Sequence, residues 1–221
     1  MEQGTMKKMR FALIGAVVAA VCAFCMLPGM AFASTNVTVN YKNAANVSRS
    51  VVVDLDTLSA STNTYGYMFQ KAGTNNVIKS TKSVTLQSVV DKAKQTAGDS
   101  ADSTVWASGK SMAFTTAPNN TPYTKYANFT YANLNAAGYF YADTLATGGP
   151  LGSATLVPTV LSLQSGSMAM NDDTLTAQDA VNAITTSTSA SPRLLWGYPS
   201  ATPTDIGGNR FPTNVDSITI S

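Results

Sequence analysis

Past Ala33 the chain has no cysteine, no histidine and no glutamate, and that fact bounds both how it can fold and what chemistry it can do. Cys22, Cys25 and the only glutamate, Glu2, all lie in the first 33 of 221 residues. Those residues follow the order of a secretory signal. Lys7, Lys8 and Arg10 come first, then an apolar run from Phe11 to Leu27, the break Pro28-Gly29, and the small-x-small site Ala31-Phe32-Ala33. The expected organisation is a signal peptide over 1–33, cleaved between Ala33 and Ser34, and a single secreted domain over 34–221. An uncleaved anchor is the competing reading, because a run of 17 residues reaches the short edge of a bilayer span. The helix-breaking pair just before the cleavage site favours cleavage. Cys22 follows Val21 and Cys25 follows Phe24, which is not a lipoprotein context. No second long apolar run follows, so no membrane span is expected after cleavage.

An exported domain without cysteine must be held by its core alone. At this length that is feasible, since such a chain buries roughly 70% of its unfolded surface. Overall the sequence is 44% hydrophobic and 12% charged, with a formal charge of +2. After residue 33, eleven Lys/Arg face eleven Asp. There is no basic excess of the kind that marks a nucleic-acid partner. Ser, Thr and Asn make up about a third of the mature chain, so its surface is solvated by neutral hydrogen-bonding groups rather than by ions.

Alternation predicts strands at Asn36–Tyr41 and Arg49–Asp56, joined by the turn at Lys42–Asn46. A second pair is expected at Tyr65–Gln70 and Asn76–Lys79 around Gly73-Thr74-Asn75. Leu86, Val89, Val90 and Ala93 form an apolar stripe at helical spacing, with Thr85 as N-cap and Gly98 as terminator, which predicts a helix over about 85–97. Short strands are expected at Thr104–Ala107, Ser111–Thr116 and Tyr139–Tyr141. Leu156–Leu163 is apolar but contains Pro158 and takes no clear assignment. Thr176 and Asp179 resemble a capping box and open a second helix over about 177–186. Thr185–Ser191 reads as a low-complexity loop, followed by strands at Arg193–Tyr198 and Val215–Ile220. Strands on both sides of each helix imply an α+β fold with mixed or mainly antiparallel strands and two principal helices. The break at Gly148-Gly149-Pro150 would leave too short a second piece for a separate domain.

Without His the usual hydroxyl and thiol triads lack their base. Without Cys, His and Glu, ordinary zinc sites lack ligands, and a glycosidase would need two aspartates. Ser80-x-Lys82 and Ser108-x-Lys110 are chance pairs in a Ser-rich chain. Asp54 and Asp56 would point the same way in a strand, as half a calcium site or an acid pair, although a solvent-facing strand end is the preferred reading. Asn171-Asp172-Asp173 offers oxygen ligands for calcium without the spaced pattern of a calcium loop, and a polar turn is preferred there too. No cofactor is expected. The most informative segment holds Tyr123, Tyr126, Phe129, Tyr131, Tyr139, Phe140 and Tyr141 among Asn and Thr. Such rings can stack on a sugar or grip a peptide, the phenol giving direction, while core packing is the competing reading. The candidate ligand-binding residues are Tyr123, Tyr126, Asn128, Tyr131 and Asn133, with Tyr126 and Tyr131 expected to expose a ring face. Trp106 and Trp196 are expected in the core.

Three stretches read as landmarks: Tyr65–Lys71, Val84–Val90 and Gly208–Val215. With the leader, they resemble uncharacterised secreted or cell-surface proteins of Gram-positive bacteria over most of the mature chain, a resemblance that implies no reaction. More distantly, a helix following strands and the late strand Arg193-Leu194-Leu195-Trp196-Gly197 resemble the molybdopterin-binding domain of sulfite-oxidase-type enzymes. In those enzymes a cysteine holds the molybdenum. The mature chain has none, so the resemblance implies a related fold without the cofactor. The leading expectation is a non-catalytic secreted or surface-associated module for a glycan or peptide. A degenerate molybdopterin-type or Asp-based enzyme and a purely structural surface protein are the alternatives.

Overall fold

The computed structural model describes residues 35–118, 121–126, 129–135, 138–140, 155–170, 176–198 and 207–221. The leader, Asn128, Tyr141, Asn171, Asp172 and Asp173 lie outside the described residues. The fold is α+β. Its first strands, β1 (Asn36–Lys42) and β2 (Ser48–Asp54), form the expected hairpin in register from Asn36↔Asp54 to Lys42↔Ser48. The turn between them places Asn46 at φ 61, where a short polar side chain is tolerated.

The second hairpin pairs β3 (Tyr65–Lys71) with β4 (Thr74–Thr85), which runs well beyond the expected Lys79. Helix α1 (Leu86–Ala97) follows without a loop. Thr85 Oγ1 accepts from the Ser88 amide at 3.2 Å, and Gly98 ends the helix in the left-handed region at φ 79. Leu86, Val89, Val90 and Ala93 are the buried face, as their spacing predicts.

The chain continues through β5 (Met112–Thr116), the two-residue β6 (Thr121–Pro122) and the single-turn α2 (Tyr131–Asn135). Beyond these come β7 (Gly138–Phe140), β8 (Thr155–Val157), β9 (Val160–Ala169), α3 (Ala177–Ala183), β10 (Ser187–Leu195) and β11 (Val215–Ile220). A five-stranded sheet has the order β2-β1-β11-β5-β6, a four-stranded sheet the order β10-β9-β4-β3, and β7 pairs with β8 alone. Only β1–β11 is parallel; the other pairs are antiparallel. All of these elements belong to one compact unit, Ser34–Ser221.

The register explains the composition. Across the five-stranded sheet Ser50, Asn40, Thr219 and Ala113 stand opposite one another on one face, beside Thr38, Ser217 and Thr115. Thr115 and Ser217 share a hydroxyl hydrogen bond at 2.7 Å. The opposite face buries Val37, Val39, Val51, Val53, Phe114 and Ile218. Alternation of Thr/Ser/Asn with β-branched and aromatic residues is thus the period-2 pattern of a half-buried sheet.

Several expectations are corrected. Residues 104–107 form turns rather than a strand, and Trp106 is buried from a loop. Residues 187–191 are extended within β10, not a loop: Ser187 and Thr188 pair with Ser165 and Gln164 of β9, and the residues after them fall in a register shift before pairing resumes at Arg193. The Leu156–Leu163 stretch becomes β8 and β9, with Pro158 between them, where its missing N–H costs no ladder bond. The second helix ends at Ala183 rather than 186, while its Thr176 cap accepts from the Asp179 amide at 3.1 Å as the sequence predicts. The strand expected to reach Asp56 stops at Asp54, and residues 55–57 turn into a 3-10 helix. Among the described residues, no helix is long and apolar enough to cross a membrane.

Candidate functional site

The aromatic segment divides between two ring clusters. In the first, Phe129 is buried at the centre. Phe114 meets it edge-on at 4.8 Å and Tyr126 at 5.0 Å, with Tyr123 tilted at 6.3 Å. Tyr126 also abuts Trp196 edge-on at 5.4 Å. Trp196 in turn covers Arg210, whose guanidinium carbon lies 4.2 Å from the indole centroid and 3.9 Å from that of Tyr198. Arg210 Nη2 donates to the Gly197 carbonyl at 2.6 Å, and Trp196 Nε1 donates to the Arg210 carbonyl at 2.9 Å. Tyr198 donates its hydroxyl to the Met68 carbonyl, tying this cluster to β3. Tyr123 is half-buried and donates its hydroxyl to the Asn209 carbonyl at 2.6 Å. Burial pushes its phenol up, against the opposing pull of nearby Arg193, whose own pKa burial lowers.

In the second cluster Tyr131 opens α2 and meets Trp106 edge-on at 5.1 Å. Its hydroxyl accepts from Asn135 Nδ2 at 2.9 Å. Asn133 is half-buried, and its amide bonds to the Thr130 carbonyl at 3.1 Å. Tyr126 and Tyr131, the two rings expected to face outward, are both half-buried with ring partners. Tyr123 and Tyr126 share Phe129, and Tyr131 goes instead to Trp106. The three nominated tyrosines therefore do not form one row of rings.

Beside the second cluster is a cleft of about 220 Å³. It lies where the β4–α1 junction meets the end of α2 and the β8–β9 connection, and it is lined by Thr85, Gln87, Trp106, Leu134, Asn135 and Thr159, with Leu86 and Pro158. Among the described residues no charged side chain lines it. Tyr131 backs the indole and positions the Asn135 amide, so one residue orients two walls. Gln87 Nε2 donates to Asp91 Oδ1 at 3.1 Å, and its carbonyl oxygen remains an acceptor. Asn135 likewise spends an N–H on Tyr131 and keeps its oxygen. Sequence analysis placed Trp106 in the core and did not nominate Gln87 or Asn135. The available signal was the polar, turn-rich surround of Trp106, Asp102-Ser103-Thr104 before it and Ser108-Gly109 after it, which argues against a strand interior.

The aspartate pair does not assemble. Asp54 caps the 3-10 helix, accepting from the Asp56 amide at 3.0 Å, and Asp56 accepts from Thr35 Oγ1 and faces Lys82 at 3.4 Å. Their carboxylates have separate local partners because the strand ends between them. Among the described residues, no group of three or more His, Cys, Asp or Glu side chains could hold a metal ion. No protein-family model, curated protein or solved structure matches the chain.

Proposed function

We propose that the chain is a non-catalytic secreted or cell-surface module that holds a neutral sugar ring in the cleft beside Trp106. The observation that carries this reading is the lining: an indole, two amide side chains and two threonines, with no charge among the described residues. A pyranose offers an apolar face for an aromatic wall and hydroxyls for neutral donors and acceptors, and this set matches both. The cleft is smaller than most small-molecule pockets, which run from about 300 Å³ upward, so it suits one ring of a glycan rather than a long segment. Export rests on the basic, apolar and small-x-small order of residues 1–33.

Titration of isotope-labelled mature protein with a panel of neutral oligosaccharides tests the reading. Amide shifts should concentrate at Gln87, Trp106 and Asn135, and Gln87→Ala and Asn135→Ala should each weaken binding about tenfold, the loss expected when one directional hydrogen bond goes. If no neutral sugar moves those signals, the reading fails. N-terminal sequencing of exported protein should begin at Ser34; a membrane-bound form still carrying Met1 would defeat the cleavage assignment.

A further inference from the structure

A second cleft, of about 430 Å³, lies between α3, the β3–β4 hairpin and β8. Its architecture begins with the register. Lys79 on β4 pairs with Gly66 on β3 and with Gly166 on β9. Directly paired residues project to the same face of a sheet, so Lys79 has no side chain beside it on either neighbouring strand. Over Gly166 the gap is filled: a Cβ there would strike the Thr185 carbonyl and Ile184 Cγ2, so this glycine lets the chain leaving α3 lie on the sheet. Over Gly66 the gap is part of the cleft.

Lys79 is half-buried and donates to the Ile184 carbonyl at 3.0 Å. An ammonium has three donors, and this bond uses one. Among the described residues Lys79 forms no ion pair and no carboxylate lines the cleft. The Gln178 amide donates to Asn182 Oδ1 at 3.1 Å, which aligns the pair and leaves the Asn182 Nδ2 group to donate. Besides Thr64 and Gly66, the remaining walls are Val157, Val181, the Tyr65 ring and Leu156, one of three exposed large hydrophobic side chains among the described residues.

We infer that this cleft binds a carboxylate carried on an apolar body. The Lys79 ammonium and the Asn182 amide take the carboxylate, and Leu156, Val157 and Tyr65 cover the body. The charge argument is direct: among the described residues the lining holds one cation and no anion, with an amide donor beside it, so a carboxylate complements it. The exposed Leu156 gains a partner in the same event. This site is separate from the sugar cleft and does not depend on it.

The test is titration of the labelled mature protein with N-acetyl-L-leucine, N-acetyl-L-phenylalanine and octanoate. The expected result is shifts at Lys79, Gln178 and Asn182 with at least one of these acids, and at least tenfold weaker binding of the matching amide or of acetate. Lys79→Met should lose at least tenfold in affinity, Lys79→Arg should retain most of it, and Leu156→Asn should weaken the apolar acids but not acetate. Because Lys79→Met also frees the Ile184 carbonyl, the exposed Leu156→Asn variant serves as an independent arm that leaves the core intact. A short peptide ending in free leucine separates the sources: tighter binding than N-acetyl-L-leucine means a peptide C-terminus, equal binding a small organic acid, and either upholds the site. Equal affinity for acid and amide, an unaffected Lys79→Met, or no shift in the cleft with any of the three acids would overturn it.

Discussion

Arg210 is 1% exposed, and its guanidinium lies among the rings of Trp196, Tyr198 and Phe211, whereas the side chain of Arg49 is 35% exposed and faces a carboxylate. Arg49 grips Asp99 with Nε at 2.9 Å and Nη2 at 3.3 Å, and the Tyr41 hydroxyl and Asn43 amide donate to the same carboxylate at 3.0 and 3.1 Å. The Asp99 network fastens the exit of α1 to the first hairpin through directional, partly solvated bonds. The Arg210 cluster joins residues 196–198 and 210–211 to β3 through buried contacts: Phe211 meets Tyr67 and Phe69 edge-on, and the Tyr198 hydroxyl donates to the Met68 carbonyl. The cation at the first place is tunable by pH and salt, and the cation at the second acts as a packing element.

The largest expected effect is at the buried arginine. Arg210→Ala should cost about 3–5 kcal/mol, the range for truncating a large core side chain, measured by urea denaturation. Arg210→Lys should fail to restore it, because an ammonium cannot lie flat between rings; a lysine variant that melts with the wild type would remove the stacking account. Next is the outer ring of that cluster. Tyr126→Ala loses edge contacts to Phe129 and Trp196 and should cost about 1–2 kcal/mol, while Tyr131→Ala loses one and should cost less. Losses under about 0.5 kcal/mol would return both rings to the solvent-facing role expected from sequence.

The exposed network should show itself in pH rather than in size. Hydrogen bonds from Arg49, Asn43 and Tyr41 hold Asp99 down at about 2. The folded state favours the carboxylate, so this contribution is full above the ordinary carboxylate range and is lost as pH falls from about 4 towards 2. Asp99→Asn should flatten that acid limb of the stability profile. Burial first, then the Asp99 contacts, push the Tyr41 phenol up to about 12. There the neutral form is favoured on folding, and stability should fall as pH rises from about 10 to 12. Asp99→Asn should also bring the Tyr41 titration down, read from phenolate absorbance. The smallest effect separates the two arginines by screening: molar salt should weaken the Arg49–Asp99 coupling in a double-mutant cycle and leave the Arg210 variants unchanged.

The parts legible in sequence were those whose instructions are local. Helix α1 carries its stripe, its Thr85 cap and its Gly98 stop within fourteen residues, and the first hairpin announces itself by alternation around a polar turn. The parts that were not legible depend on a distant partner. Ser187–Ser191 has no apolar alternation, and its strand is anchored to β9 by Ser187 and Thr188 on one side of a register shift and by Arg193 on the other. Lys79 looks like an ordinary strand lysine until the register brings Gly66 and Gly166 to its flanks from either side of the chain. Trp106 was placed correctly in the core, but its role as a cleft wall follows from α2 and the β8–β9 connection meeting the start of α1. Arg210 lay inside a recognised landmark, Gly208–Val215, yet its ring partners are supplied partly by residues 196–198, and no local pattern couples the two segments.

The parallel pairing of β1 with β11 has a consequence for the order of events during synthesis. β11 stands between β1 and β5, so the five-stranded sheet has no continuous centre until its last strand has been made. The β1–β2 hairpin is local, whereas joining β1 to β11 closes a loop over nearly the whole domain, a non-local pairing of the kind that slows folding. Without Val215–Ile220 the β11 edge of β1 has no partner strand, and an unpaired edge is a template for association with another chain.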